Sequence, residues 1–158
     1  MSTEKTNAMR LLDKAGIKYG MHSYDAGDGR IDGISVAEKL GVAADRVYKT
    51  LVTQGTSRQY HVFVIPVASE LDLKAAAKAA GEKSIEMIRV ADILKITGYI
   101  RGGCSPVGMK KQYPTIVDSS CENLDSIIVS AGKIGHQIEL SPADLIRFTG
   151  GGTAAVAG

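Results

Sequence analysis

Two apolar runs in the first half of the chain constrain its fold more than any other feature. Residues 47–53 and 60–67 are rich in β-branched and apolar side chains, and the segment 54–58 between them is Gln-Gly-Thr-Ser-Arg. Two such runs joined by a short polar segment that contains glycine are typical of a β-hairpin. We therefore expect two paired strands here, at the centre of a sheet.

Helical and extended patterns alternate irregularly along the rest of the chain. Helices are predicted over residues 8–15, 35–40, 72–80 and 90–96 and from residue 141 onward, the second of them because Ser35 and Glu38 fit a capping box. Further strands are predicted over residues 17–24, 84–88, 99–103, 115–118, 126–130 and 136–140. About seven strands and about five helices in no strict βαβ order favour an α+β fold with one mixed, mostly antiparallel sheet. The segment 25–33, rich in glycine and aspartate, is predicted to be a loop.

Length and composition indicate one domain. A chain of 158 residues buries roughly 70% of its unfolded surface, which is enough for a core without disulfide or metal staples. Its charged fraction of 23% and its many branched apolar residues argue against disorder. No apolar run approaches the roughly 18 residues of a membrane span, and the N-terminus lacks the apolar stretch of a signal peptide, so we expect a cytoplasmic protein. We expect residues 1–150 to form the domain and residues 151–158, rich in glycine and alanine, to be a flexible tail.

The residues that usually carry metal or nucleophilic chemistry are sparse and scattered. Cys104 and Cys121 form no C-x-x-C pair, and His22, His61 and His136 fall on separate predicted strands without metal-ligand spacing. No G-x-S-x-G segment is present, and nothing in the order of residues pairs a serine or cysteine with a histidine. We therefore expect no metal, no cofactor and no catalytic triad.

The strongest local anomaly is a basic, glycine-rich stretch. Residues 93–117 contain no acidic residue, and four basic residues surround the segment 102–108, namely Lys95, Arg101, Lys110 and Lys111. Glycines let backbone amides approach a ligand and neighbouring cations attract anions, so the loop could hold a phosphorylated substrate. A solvated surface turn explains the same pattern, and a net charge of +2 does not by itself indicate a nucleic-acid-binding protein.

Lys49 lies in the middle of the first predicted hairpin strand. A period of two would place it on the same face as Val47 and Leu51, among apolar neighbours. The side chain could run along the core with its ammonium group in water, or it could be a cation at a ligand. A second small-residue loop, residues 130–135, contains the cation Lys133, and a tight connection between strands explains this loop equally well.

Five segments of the chain together resemble one protein family. They are Val47-Tyr48-Lys49-Thr50-Leu51, Leu71-Asp72-Leu73-Lys74-Ala75, Thr97-Gly98-Tyr99-Ile100, the block from Gly102 to Lys111, and Ser130-Ala131-Gly132-Lys133. Their order and spacing are similar to those of the YbaK group of aminoacyl-tRNA editing proteins, and the similarity spans nearly the whole chain. These proteins resemble the editing domain inserted in bacterial prolyl-tRNA synthetases.

The resemblance implies a compact domain that removes, in trans, amino acids wrongly attached to tRNA, chiefly to proline tRNA. A synthetase pocket cannot strongly exclude a similar or smaller side chain, because the difference is worth only about 1–3 kcal/mol, so a second sieve is needed. The block from Gly102 to Lys111 is similar to the version associated with cysteine, which implies a Cys-tRNA(Pro) deacylase. A deacylase for Ala-tRNA(Pro) or another mischarged tRNA, and a noncatalytic tRNA-binding or nucleotide-binding module, remain alternatives.

The resemblance also implies roles for individual residues. Lys49 falls on a family lysine that holds the substrate near its ester or terminal adenosine, and Gly102 and Gly103 match a loop whose amides face the ester carbonyl. One such donor is worth about 2.7–4 kcal/mol in a transition state. In the mechanism implied for cysteine, the thiolate of the substrate attacks its own carbonyl and expels the tRNA 3′ end, so the enzyme mainly positions the reactants.

Further substrate contacts are implied for six residues, some within the matching segments and some outside them: Tyr24, Ser105, Pro106, Ser130, Lys133 and Gln137. The chain departs from the family at Cys104, where an aliphatic residue is usual, and at Gln137, where relatives often carry an acidic or small residue. Both changes could alter the amino-acid specificity of the pocket. The implied partners are the 3′ end of tRNA(Pro) and, as a candidate helper, prolyl-tRNA synthetase, with no DNA and no membrane.

Overall fold

The computed structural model describes residues 5–158, and the first four residues of the N-terminal segment discussed above lie outside this description. In chain order its elements are α1 (Asn7–Lys14), β1 (Gly20–Ser23), α2 (Gly33–Leu40), β2 (Tyr48–Gly55), β3 (Tyr60–Pro66), α3 (Leu73–Ala80), β4 (Ile85–Met87), α4 (Ile93–Thr97), β5 (Thr115–Asp118), β6 (Ile127–Lys133), β7 (His136–Leu140), α5 (Pro142–Thr149) and β8 (Gly152–Ala154). Three short 3-10 turns, Ala44–Arg46, Val90–Asp92 and Ser119–Asn123, complete the set. The predicted α+β class is confirmed.

The strands form two sheets rather than the one sheet expected. The order of the larger sheet is β4-β2-β3-β5-β8, and that of the smaller sheet is β1-β7-β6. The β3–β5 and β5–β8 pairs are parallel, and the other pairs are antiparallel. A single parallel bridge between Val47 and Ile128 joins the two sheets just before β2 begins.

The predicted hairpin is confirmed, and β3 is the central strand of the larger sheet. Its side chains alternate between two clusters of the core. Val62 and Val64 pack with α1 and the smaller sheet, whereas Phe63 and Ile65 pack with α3 and the C-terminal segment. Because both faces are covered, residues 62–65 of β3 are consecutively apolar instead of alternating with polar residues.

The helix ends follow short-range signals, with one correction. Asp72 accepts from the amide of Ala75 at the start of α3, and Pro142 occupies the first turn of α5, as predicted. The N-cap of α2, however, is Asp32 and not Ser35. The Asp32 carboxylate accepts from the Ser35 amide at 3.1 Å and from the Ser35 hydroxyl at 2.7 Å, so the helix begins earlier than the capping-box pattern indicated.

Two other predicted elements differ from the structure. The strand predicted over residues 99–103 is a turn, in which the Gly103 amide donates to the Ile100 carbonyl at 3.0 Å. Gly102 has a φ of 88°, a left-handed conformation that an extended strand cannot contain. The single helix predicted over residues 90–96 is a 3-10 turn followed by the short helix α4.

The expected flexible tail is instead an ordered part of the larger sheet. β8 pairs with β5, Val156 is fully buried, and the amides of Val156 and Ala157 donate to Asp118 Oδ1 at 2.9 and 3.0 Å. The small residues of this segment allow a close approach: a Cβ at Gly151 would lie 2.2 Å from the Thr115 carbonyl oxygen. Within residues 5–158, no helix has the length and apolar character needed to cross a membrane.

Candidate active site

A cavity of about 730 Å³ opens beside the first half of β2. The segment 29–36, the segment 87–93 and the loop 101–104 form its other walls, together with Ser130 of β6 and Gln137 of β7. β4 pairs with β2 only from Thr53 to Gly55, so the edge of β2 before that point is left open to the cavity. A volume of this order is typical of small-molecule sites.

Lys49 lies in the wall of this cavity, as the interpretation of its side chain as a cation at a ligand requires. Lys49 pairs with Ile65 of β3 in the strand register, and Lys49 is partly buried. No carboxylate of residues 5–158 lies within ion-pair distance of its ammonium group, and none of their hydrogen bonds involves it. Arg101 lines the same cavity, so two cations are available to an anionic ligand.

The glycine loop contributes backbone donors to the cavity, although not the two that were expected. The Gly103 amide is already bonded to the Ile100 carbonyl, whereas the amides of Gly102 and Cys104 have no acceptor among the described residues. Gly102 and Cys104 both line the cavity. A side chain at Gly102 would meet Ile31 Cδ1 at 2.8 Å in addition to the strain of its positive φ, so glycine is required there.

Ser105 and Pro106 lie behind this loop and not in the cavity wall. Both residues are buried, and Ser105 Oγ accepts from the Val107 amide at 3.1 Å. The Val107 carbonyl in turn accepts from the Tyr99 hydroxyl at 2.6 Å. These bonds fix the shape of the loop, so the structure gives Ser105 and Pro106 a supporting position instead of the expected direct contact.

Ser130 and Gln137 face each other across the β6–β7 ladder, and both line the cavity. Ser130 Oγ accepts from the Gly132 amide at 3.1 Å, which shapes the turn. Gln137 is 6% exposed, and its side-chain amide makes no hydrogen bond with any other described residue. The Gln137 side chain is therefore a polar group at the cavity that is free to bind a ligand.

The groups in the cavity wall do not form a nucleophile and base pair. Burial raises the pKa of the Cys104 thiol to about 11, so the thiol is protonated at neutral pH and a poor nucleophile. Hydrogen bonds from Ser35 lower the pKa of Asp32, whose carboxylate caps α2. The described residues that line the cavity include no histidine. Cys121, whose thiol pKa burial also raises to about 11, lies in the core.

Two of the expected contact residues lie outside this cavity. The Tyr24 ring lies below the Lys39 ammonium group, 5.5 Å from ring centroid to Nζ, and its hydroxyl is buried without a hydrogen-bond partner. Lys133 is exposed at the tip of the β6–β7 hairpin and lines a second, smaller cavity.

Sequence reasoning missed the segment 25–33 as part of the site. Gly29, Ile31 and Asp32 line the cavity. Lys39 holds the segment in place, because its ammonium group donates to the Asp25 carbonyl at 2.6 Å, to Asp28 Oδ1 at 2.8 Å and to the Arg30 carbonyl at 2.9 Å. The glycine and aspartate content of the segment indicated only a loop, and its contacts with Lys39 are decided by the tertiary structure.

The fold and the cavity together define an α+β domain with a binding site that combines two cations, unpaired backbone amides and apolar walls. The chain belongs to the aminoacyl-tRNA editing domain family, whose model matches residues 33–148. This range contains Lys49, the glycine loop, Ser130 and Gln137, whereas Tyr24 precedes it.

Individual relatives support the same assignment. The chain is 46% identical, over 97% of its length and 93% of the relative's, to the Enterococcus faecalis protein named "Putative Cys-tRNA(Pro)/Cys-tRNA(Cys) deacylase EbsC". It is 26% identical over 62% of its length to 17% of a proline–tRNA ligase of Pelobacter propionicus. The fold is that of the crystal structure of "a putative trans-editing enzyme for prolyl tRNA synthetase", with a TM-score of 0.82, 20% identity and coverage of 98% and 99% of the two chains.

Proposed function

We propose that the protein is a trans-acting deacylase that removes cysteine from tRNA(Pro). The observation that carries this proposal is the presence of the unpaired Lys49 ammonium group and the unbonded Gly102 and Cys104 amides in one cavity. The name of the E. faecalis relative assigns it deacylation of Cys-tRNA(Pro) and Cys-tRNA(Cys), and the sequence identity of 46% supports a related substrate here.

The electrostatics of the cavity suit the 3′ end of a charged tRNA. Lys49 and Arg101 attract the phosphate and the electron-rich ester of the terminal adenosine, and the apolar residues of the segment 87–93 offer a surface for its base. The Gly102 and Cys104 amides have no acceptor among the described residues, which supports a role as donors to the ester oxygen as negative charge develops on it. Gln137 and Ser130 lie where the amino group or the side chain of the amino acid could be bound.

The chemistry we propose relies on the substrate's own thiol. The cysteine thiol gives up its proton and the thiolate attacks the ester carbonyl of the same residue. A carbon–sulfur bond forms, the ester carbon–oxygen bond breaks, and the ribose oxygen leaves as a hydroxyl with the proton that the thiol released. Cysteine departs as its cyclic thioester, which water then hydrolyses to free cysteine. The neutral Cys104 thiol and the lack of a histidine among the described cavity residues support a mechanism in which the protein supplies no nucleophile. Lys49 and the amides stabilise the oxyanion and hold the thiol near the carbonyl.

The proposed partners follow from this substrate. The protein binds the aminoacylated 3′ end of tRNA(Pro), and prolyl-tRNA synthetase could hand over the mischarged tRNA, a link that the similarity to a proline–tRNA ligase supports. We expect it to act in the cytoplasm, where tRNAs are charged.

The test compares deacylation of Cys-tRNA(Pro), Ala-tRNA(Pro) and Cys-tRNA(Cys) by the wild-type protein and by Lys49→Ala. We expect the wild-type protein to cleave only the two cysteinyl esters. We expect Lys49→Ala to have a kcat/KM lower by about 100-fold or more, because the positive charge is lost where the oxyanion forms. Lys78→Ala is the matched control, since it removes the same charge from an exposed position on α3.

Circular dichroism and thermal unfolding of both variants establish whether the fold is intact. Activity on Ala-tRNA(Pro) alone would reassign the amino-acid specificity and exclude the thiol mechanism. A protein that leaves all three substrates intact, while still binding tRNA, would favour the noncatalytic binding module.

A further inference from the structure

A second cavity lies where the start of α1 meets the tip of the β6–β7 hairpin. Its volume is about 300 Å³, equal to that of about ten water molecules. The side of α1 contributes Lys5, Thr6, Asn7 and Arg10, and the hairpin contributes Gly132, Lys133 and His136. The resemblance implied a substrate contact for Lys133, but the proposed reaction uses no residue of this cavity.

The side chains around the second cavity are predominantly basic. Arg10 and Lys133 are exposed, and no carboxylate in the described part of the chain lies within ion-pair distance of either. Lys5, by contrast, is bonded to Asp13 at 2.6 Å, so these two charges cancel. The remaining positive charge, together with the positive end of the α1 dipole, favours an anion in this cavity.

The two cavities lie on opposite faces of one hairpin. Ser130 pairs with Gln137, and Lys133 pairs with His136. Neighbouring residues on a strand project to opposite faces. Gln137 lines the first cavity and the adjacent His136 lines the second, so the two cavities adjoin the same hairpin from its two faces.

We propose that the second cavity holds a phosphodiester group of the tRNA nucleotides that precede the esterified adenosine. The proposal rests on the proposed function: the esterified adenosine would occupy the first cavity, and the second cavity adjoins the same β6–β7 hairpin. Arginine, lysine and helix N-termini are the usual donors to phosphate oxygens in nucleic-acid complexes, and Arg10, Lys133 and α1 supply all three. Contacts of this type position the strand without reading its sequence.

The experiment measures both binding and turnover for the wild-type protein, Arg10→Ala and the control Lys14→Ala. Arg10 and Lys14 lie on the same helix, both are exposed, and Lys14 lines neither cavity. Affinity for uncharged tRNA(Pro) is measured over a range of salt concentrations. kcat/KM is measured for Cys-tRNA(Pro) and for adenosine esterified with cysteine at its 3′ position, which carries no phosphate.

We expect Arg10→Ala to bind tRNA roughly fivefold more weakly at low salt. Its plot of log affinity against log salt should be shallower by about 0.7–1, the change that one lost phosphate contact produces. The ratio of kcat/KM for Cys-tRNA(Pro) to that for the adenosine ester should fall by a similar factor, while Lys14→Ala leaves both quantities as in the wild type.

The proposal is overturned if Arg10→Ala leaves tRNA affinity and salt dependence unchanged, if Lys14→Ala reduces them equally, or if Arg10→Ala lowers kcat/KM for the adenosine ester as much as for tRNA. A free phosphate or a mononucleotide has the same chemistry. If inorganic phosphate or AMP binds in an Arg10-dependent way while tRNA binding does not depend on Arg10, the site serves a small anion instead. A wild-type protein that binds tRNA in an Arg10-dependent way but cleaves neither ester would refute the proposed function and retain the phosphate site.

Discussion

Several side chains at the first cavity have polar atoms that the fold leaves without partners. Lys49 has no counter-charge among residues 5–158, the side-chain amide of Gln137 has no hydrogen bond within them, and the hydroxyl of Thr50 is buried without a partner. A buried polar group that lacks a partner costs about 1–3 kcal/mol. Several polar groups without partners therefore lie at one cavity. This is typical of a site in which ligand binding is favoured at the expense of stability.

Thr50→Val tests whether one unpaired polar group at the cavity lowers the stability of the protein. We expect the free energy of unfolding to rise by about 1 kcal/mol, because valine has a similar shape and removes the unpaired hydroxyl. Denaturation in urea measures the change, and kcat/KM for Cys-tRNA(Pro) is measured alongside, since a loss of activity would show that the hydroxyl serves the substrate.

Thr53→Val is the matched control on the same strand. Thr53 is buried, but its hydroxyl donates to the His61 carbonyl at 2.9 Å, so this substitution should destabilise the protein. Equal destabilisation by both variants would contradict the assignment of Thr50 as an unsatisfied group.

At the scale of elements, the segment 25–33, part of which lines the cavity, is held by hydrogen bonds from the helix α2. Lys39 of α2 is 20% exposed in its side chain and bonds to three acceptors spread over the segment. The hydrogen bond from Lys39 also contributes most to the lowered pKa of Asp28. The Lys39 ammonium group thus supplies hydrogen bonds to a segment that lacks the regular backbone hydrogen bonds of a helix or a strand.

Lys39→Met keeps the apolar stem of the side chain and removes these bonds. We expect a loss of about 1–2 kcal/mol in stability, faster amide hydrogen exchange confined to residues 25–33, and a higher KM for Cys-tRNA(Pro) with little change in kcat. Lys78→Met is the control, because Lys78 is exposed on α3 and has no partner among the described residues. Unchanged exchange in the segment would mean that other contacts order it.

The C-terminal strand is a second element whose role depends on long-range contacts. Burial by itself would raise the pKa of the Asp118 carboxyl, but hydrogen bonds from Ser120, Val156 and Ala157 lower it. The C-terminal segment therefore both fills the core and stabilises a buried charge.

Deletion of residues 152–158 should lower the free energy of unfolding by about 3–6 kcal/mol, from the lost burial of Val156 and the loss of two donors to Asp118. Thermal and urea unfolding measure this change, and Val156→Ala should give a smaller loss. A deletion variant as stable as the full chain would restore the interpretation of this segment as a flexible tail.

At the scale of the whole molecule, carboxylates in three different regions couple stability to pH. Ser57 and then His61 lower the pKa of Glu82, and Ser126 and then His22 lower the pKa of Glu139. Asp118 also has a lowered pKa. A carboxylate whose pKa is lower in the folded state stabilises the protein above its unfolded pKa and loses that contribution as the pH falls through its folded pKa.

We therefore expect stability to be constant near neutral pH and to fall progressively below about pH 5, as these groups become protonated. Urea unfolding between pH 7 and pH 3 measures the profile. Glu82→Gln should lower stability at pH 7 and flatten the acid limb, whereas Glu86→Gln, at an exposed carboxylate of β4, should change neither. A profile that is unchanged by Glu82→Gln would contradict the role of this carboxylate.

The sequence by itself determined those features that depend on residues close together in the chain. The apolar runs and the polar turn between them predicted the β2–β3 hairpin. Asp72 and Pro142 marked helix starts correctly because an N-cap acts on amides only a few residues away. The five matching segments identified the family, and Lys49 was singled out because a charge interrupted an apolar face. None of these inferences required strand order or packing.

The tertiary structure alone decided how these parts meet. It divided the strands between two sheets, placed the segment 29–36 in the cavity wall, moved Ser105 and Pro106 behind the loop, and ordered the C-terminal segment against β5. It also paired the Gly103 amide with the Ile100 carbonyl, whereas the amides of Gly102 and Cys104 are left without an acceptor among the described residues. The physical reason is that pairing and packing join residues far apart in sequence, so they are determined by the shapes and faces of whole elements, which local patterns do not contain.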